Sequence, residues 1–313
     1  MKALPADIRQ SFLPFARPDW VEGMLLGDDL DSLLSGMYLQ AKFGWPVLGV
    51  YTEYTRLWLC EPSLSFQEKC AKGKILAVDL DIYQPTIPSV GHHILALRAT
   101  DELPGHTHTL NPNLLRGVTA EQHYKQKYPL STLHFLCWLF GETDLPPHAE
   151  QLLWLSDSSF INAQRYAPNM GNWCDAYLQN PDFSRLCRQV QHLDFEQDLQ
   201  KNILQALSVC PLCLPGHTKY KSQHLGLAGF QCRYQNPAQQ NAALQMLCTL
   251  LAKLSGWPRL DFPTRFAAQI IGQRHSCTTQ HLPARGSLGD WLDEKGVFSY
   301  AFTYQNQLNY TVF

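Results

Sequence analysis

Short apolar runs that stop abruptly at carboxylates or at paired histidines constrain this chain more than any other feature. Residues 19–26 end in Met24-Leu25-Leu26 and give way to Asp28-Asp29-Leu30-Asp31. Residues 75–78, Ile-Leu-Ala-Val, give way to Asp79-Leu80-Asp81. Gly91-His92-His93 stands directly before the apolar residues 94–97, which, like 75–78, read as a strand. Between the first two runs, residues 31–43 have the pattern of an amphipathic helix, and a Gly44-Trp45-Pro46 turn leads into a further strand over 46–51. Strands alternating with helices predict an α/β fold with a mainly parallel sheet flanked by helices. In such sheets ligands bind outside the carboxyl ends of the strands, so tips far apart in sequence can converge.

Carboxylates crowded as closely as Asp28, Asp29 and Asp31 repel one another, so at neutral pH either a metal or cationic partner keeps them ionised or one of them is protonated. Asp at a helix start is also favoured by the free N–H groups and the helix dipole, and taken alone the segment reads first as a solvated helix cap. Aspartate oxygen combined with histidine nitrogen suits manganese or zinc better than calcium.

In these residues the chain resembles the DHH phosphoesterases, which include manganese-dependent pyrophosphatases, oligoribonucleases, cyclic-dinucleotide phosphodiesterases and single-strand exonucleases. Asp29-Leu30-Asp31-Ser32-Leu33-Leu34-Ser35 matches the first family motif, D-x-D-[GAS]-x-x-S. Asp79, with Asp81 as the alternative, corresponds to the isolated second Asp; Gly91-His92-His93 corresponds to Asp-His-His. Ser156-Asp157-Ser158-Ser159-Phe160 resembles the fourth, an Asp followed by Thr or Ser and an aromatic. The order of the four is that of the family. The resemblance implies metal ligands Asp29, Asp31, Asp79, His92 and Asp157, one or two manganese ions with magnesium as the alternative, and His93 as the group that bonds the phosphate or protonates the leaving oxygen. Two departures stand out. Gly27 and Leu25 occupy positions where relatives carry His or Asp, and Gly91 replaces the Asp of the triplet. One metal site is thereby complete and the other depleted, with Asp28 or Asp81 as substitutes, and restoring a carboxylate at 91 is expected to raise activity or metal affinity.

At 313 residues with 45% hydrophobic content, the chain has the length of two domains. The expected division is a metal-binding domain over 1–165 and a smaller α+β domain over 166–313, joined by the Pro- and Gly-containing stretch 166–182. Helices are expected over 130–140, closed by Gly141, from 149 to Asp157, over 183–209 and over 239–254. Strand-like composition occurs at 230–233, 265–273 and 297–313. No apolar stretch approaches the roughly 18 residues of a membrane span, and residues 1–19 lack the pattern of a signal peptide, which predicts a cytoplasmic protein without a membrane partner. Ten cysteines at irregular spacing read as reduced core thiols. A formal net charge of −2 argues against a long nucleic acid and for a small phosphorylated or nucleotide substrate.

Other candidates are weaker. Cys210-Pro211-Leu212-Cys213 with His217 and Cys232 has a zinc-like pair but no second close pair, so two cysteines flanking a turn is the favoured reading. His106 and His108, in a loop, are candidate substrate contacts, as are Arg274 and Arg285, each placed beside a hydroxyl residue and able to clamp a phosphate. The sequence thus leads to a metal-dependent phosphoesterase. The alternative is a relative that has lost catalysis and binds a nucleotide or a protein.

Overall fold

The computed structural model describes residues 4–142, 144–210, 219–230, 239–282 and 287–313. Two compact units are present, each assembled from separate stretches of chain.

The first unit comprises Gln10–Gly27, Trp45–Tyr128 and Arg265–Phe313 and holds all the named strands. These are β1 (Gly23–Leu26), β2 (Val47–Thr52), β3 (Arg56–Leu59), β4 (Ile75–Val78), β5 (Ser89–Val90), β6 (Thr109–Leu110), β7 (Ala268–Ile271), β8 (Gln273–Thr278), β9 (Val297–Tyr304) and β10 (Gln307–Val312). Seven form one sheet in the order β6-β5-β4-β1-β2-β3-β7. The pairings from β6 through β2 are parallel, and β3 is antiparallel to both β2 and β7. The fold is therefore α/β with a mostly parallel sheet, as expected. Every residue of β1 and β4 is buried, the behaviour of central parallel strands covered on both faces. Leu25, Leu57, Leu59, Ile75, Ala77 and Ile87 form a core cluster with Phe66, the one fully buried residue of the helix Ser63–Ala71.

A second sheet, β8-β10-β9, is wholly antiparallel. It attaches to the chain beyond β4 by backbone bonds, Tyr83 N to Phe298 O (2.6 Å) and Tyr300 N to Asp81 O (3.4 Å). Residues 94–97, expected as a strand, are not one. Their carbonyls go to separate partners: Ile94 O accepts from Phe302 N, Leu95 O from the Tyr300 hydroxyl and Ala96 O from Ala120 N. The apolar run is buried because it fills space beneath these partners, which the run alone did not distinguish from a ladder.

The second unit, Asp28–Gly44 and Pro129–Thr264 with the N-terminal stretch to Arg9, is built from helices. Among them are Leu30–Phe43, capped by Asp29 and ended by left-handed Gly44, Thr132–Phe140 and Gln240–Ser255. Buried Glu196 organises a loop here, accepting from Gln164 Nε2, the Ser222 hydroxyl and the His224 and Leu225 N–H groups. Burial pushes its carboxyl up, and these bonds together outweigh that and hold it below the ordinary range. Among the described residues no helix is long and apolar enough to cross a membrane.

Candidate functional site

The sheet-bearing unit places two Asp–His pairs at the carboxyl end of β4. Asp79 turns the chain there with φ of 57°, a left-handed conformation that Asp tolerates better than most residues, and its N–H donates to Val90 O (2.7 Å). His92 follows β5 and brings Nδ1 to 3.2 Å from Asp79 Oδ1. His93 brings Nδ1 to 2.8 Å from Asp81 Oδ2. The two imidazoles stack, with centroids 4.5 Å apart. Asp79, Asp81 and His92 are buried, and His93 is half-buried.

Two asparagines hold this arrangement. Asn111 Nδ2 donates to Asp81 Oδ1 (3.1 Å) and to His93 O (2.9 Å), while Asn113 Nδ2 donates to His92 O (2.7 Å). Asn111 also caps the short helix Pro112–Arg116 through its Oδ1. In the sequence, Asn111-Pro112 reads as a helix start, with Pro at the first helical position. The amide's second use, on the Asp81 carboxylate and the His93 carbonyl, leaves no local signature.

Gly91 explains one departure from the expected motif. A Cβ at this position would lie 2.4 Å from Asp81 Oδ1 and 3.0 Å from its Cγ. The Asp81 carboxylate takes up the space that a side chain at 91 would need, so a carboxylate reaches the histidines from another strand-end position.

A cleft with about 540 Å³ of free space, part of it open to solvent, adjoins the pairs. Asp79, Asp81 and His93 form one side. The small sheet supplies Arg274 from β8, Ser299 and Tyr300 from β9, and Asn309, Tyr310 and Thr311 from β10. Tyr51 and Tyr54 come from the β2–β3 hairpin, whose turn holds Glu53 and Tyr54 both at positive φ. Arg274 lies over the Tyr54 ring, 5.3 Å from its centroid. The hairpin and small-sheet residues, Arg274 apart, were not legible as cleft residues in the sequence, because each strand gives only alternating polar and aromatic positions.

His106 is buried, with Nδ1 2.8 Å from Thr109 Oγ1 and its ring against Tyr83 and Tyr300. His108 is exposed. Burial lowers the His106 pKa to about 4, partly opposed by the Asp81 carboxylate. Its unfolded value is near 6.5, so the unfolded chain takes up a proton that the folded state refuses. The contribution is complete above about pH 6.5 and is lost as pH falls toward 4, by roughly 3 kcal/mol in all. Urea unfolding should therefore show a loss of stability on acidification that is much smaller in His106→Gln. Equal acid sensitivity of the two proteins would contradict this assignment.

The remaining candidates are distributed as follows. Asp31 belongs to the helical unit, where its buried carboxylate accepts from Thr132 N (2.7 Å) and Leu133 N (3.0 Å), at the start of the helix Thr132–Phe140. Asp29 Oδ1 accepts from Ser32 N (2.9 Å) as a helix cap, and Asp28 is half-buried beside it. Asp157 is exposed, with positive φ, in the turn that follows the helix Pro147–Leu155. Arg285, and Cys213, His217 and Cys232 of the zinc-like set, lie outside the described residues.

Asp79 and His92 fit a divalent cation by their chemistry and spacing. Two ligand atoms about 2.1 Å from one ion at near-right angles lie about 3 Å apart, and the observed separation is 3.2 Å. No protein-family model, curated protein or solved structure matches the chain, and its functional reading rests on these residues.

Proposed function

We propose that the protein is a metal-dependent phosphoesterase of DHH type, hydrolysing a phosphodiester or phosphoanhydride of a small nucleotide-like molecule. The observation that carries this reading is the pairing of Asp79 with His92 and of Asp81 with His93 at one strand end, beside a cleft that also holds Arg274. Asp79 and His92 would hold the ion. Asp29, Asp31 and Asp157 join the ligand set on the strength of the sequence pattern, with Asp28 as a substitute. When bound, manganese or magnesium supplies Lewis acidity, neutralising charge on the phosphate and acidifying water.

The chain's own groups divide the remaining work. Asp81 accepts from His93 Nδ1, which keeps a proton there and leaves Nε2 as the nitrogen that delivers a proton to the leaving oxygen. Asn111 fixes Asp81 and the His93 backbone together, so the pair enters the reaction already oriented. Arg274 offers two parallel N–H donors to the non-bridging phosphate oxygens.

Hydrolysis assays with manganese on pyrophosphate, a linear dinucleotide, a cyclic dinucleotide and a single-stranded oligonucleotide test the proposal. Turnover of at least one of the small substrates is the expected result. Nucleotide binding without turnover of any would favour the non-catalytic binding module that the departures at Gly27 and Gly91 also allow.

A further inference from the structure

In the helical unit, away from the chemistry proposed above, two cysteine sulfurs face one another. Cys174 lies in the π-helical segment Asn172–Tyr177, and Cys187 in the helix Pro181–Gln189. Their Sγ atoms are 3.5 Å apart. The turn between them is firmly set. Leu178 N donates to Trp173 O, Asn180 N donates to Cys174 O, Asn180 Oδ1 caps the following helix at Phe183 N, and Trp138 Nε1 donates to Leu178 O. The Ser184 hydroxyl bonds the Asp175 carboxylate across the same gap. These bonds set the two segments relative to one another with the sulfurs 3.5 Å apart, and a disulfide of about 2.05 Å closes that gap further.

We propose that Cys174 and Cys187 are a reversible covalent modification site, forming an intramolecular disulfide by exchange with a low-molecular-weight disulfide such as oxidised glutathione. Cys187 is half-buried and Cys174 fully buried, so Cys187 is the sulfur the small disulfide reaches. The neighbouring Cys187 sulfur, together with burial, also holds the Cys174 thiol well above the ordinary range, so Cys174 is the less ready of the two to attack first. The Cys187 thiolate attacks one sulfur of glutathione disulfide, forming a mixed disulfide and releasing one glutathione thiolate. Cys174, giving its proton to solvent, then displaces the second glutathione from Cys187. Two protein thiols lose two electrons and two protons, and one glutathione disulfide becomes two glutathiones. The product ties the π-helical segment to the next helix. Single-turn π segments recur at functional sites, and here the crosslink would remove the freedom of one to relax.

The test uses the full chain equilibrated in a glutathione redox buffer, alkylated first under native and then under denaturing conditions, and digested without reduction. Mass spectrometry should recover a Cys174–Cys187 linked peptide that is absent after dithiothreitol treatment and absent from Cys187→Ser. The oxidised chain should melt about 5 °C or more above the reduced one, because the link restricts the unfolded chain. Recovery of both cysteines alkylated or singly glutathionylated, with no linked peptide from a chain whose circular dichroism is unchanged, would overturn the proposal. Should Cys187→Ser fail to fold, the peptide map of the wild type decides alone.

Discussion

Replacing His93 with alanine is expected to lower turnover of the best phosphoester substrate by ~10²–10⁴-fold, the range typical of a positioned general acid or base. The loss should fall on kcat, because His93 acts on the leaving oxygen as charge develops there and not on the ground-state complex. Asp81 is a positioning residue, acting through His93 Nδ1 at 2.8 Å. Asp81→Asn keeps its volume and removes the carboxylate that accepts from His93 Nδ1 and orients the ring, so it too should lower kcat with KM little changed, a split that a general loss of structure would not produce. Circular dichroism and thermal melts separate these effects from misfolding. A His93→Ala enzyme within about threefold of wild type would remove His93 from the chemistry.

Gly91→Asp is expected to destabilise the protein by about 3 kcal/mol or more, whereas the motif alone predicts a gain in activity or metal affinity. Its Cβ would sit 2.4 Å from Asp81 Oδ1, and its carboxylate would add a second negative charge where one is already buried. Relief requires Asp81 to move, and moving Asp81 breaks its bonds to His93 and Asn111. Gly91→Ala carries the steric part without the charge and should be damaging to a smaller degree. Gly91→Asp combined with Asp81→Gly vacates the contested space and should recover most of the lost stability. Denaturant melts that place Gly91→Asp at or above wild type would show that the carboxylates do not compete.

The sheet was legible wherever burial on both faces left an uninterrupted apolar run. Ile75–Val78 became β4, and the expected strand over 46–51 became β2 at Val47–Thr52. Helix ends were legible from their caps: Gly44 and Gly141 both adopt the left-handed conformation that closes the helices before them. Residues 94–97 misled because an apolar run satisfied by scattered partners has the same composition as one satisfied by a ladder. At the site, Asp79, His92 and His93 were legible because each interrupts an apolar context. The value of Gly91 was not. Its meaning depends on Asp81, which is ten residues earlier and on a different strand end, and a glycine left empty for another residue's carboxylate has no signature of its own. Arg274 could be nominated as a basic residue beside a hydroxyl, but its place on the cleft wall follows from the pairing of β8 with β10, a contact between distant segments.

A divalent cation held at Asp79 and His92 should make the protein's thermal stability depend on manganese. A ligand that binds only the native state stabilises it by RT ln(1 + [L]/Kd), roughly 2.7 kcal/mol at a hundredfold excess over Kd. Wild type and Cys213→Ser should both melt at higher temperature as manganese is added, and His92→Ala and Asp79→Asn should not. Absence of any rise in wild type would show that no such ion is bound, and an undiminished rise in His92→Ala with loss of the rise in Cys213→Ser would place the metal elsewhere in the chain.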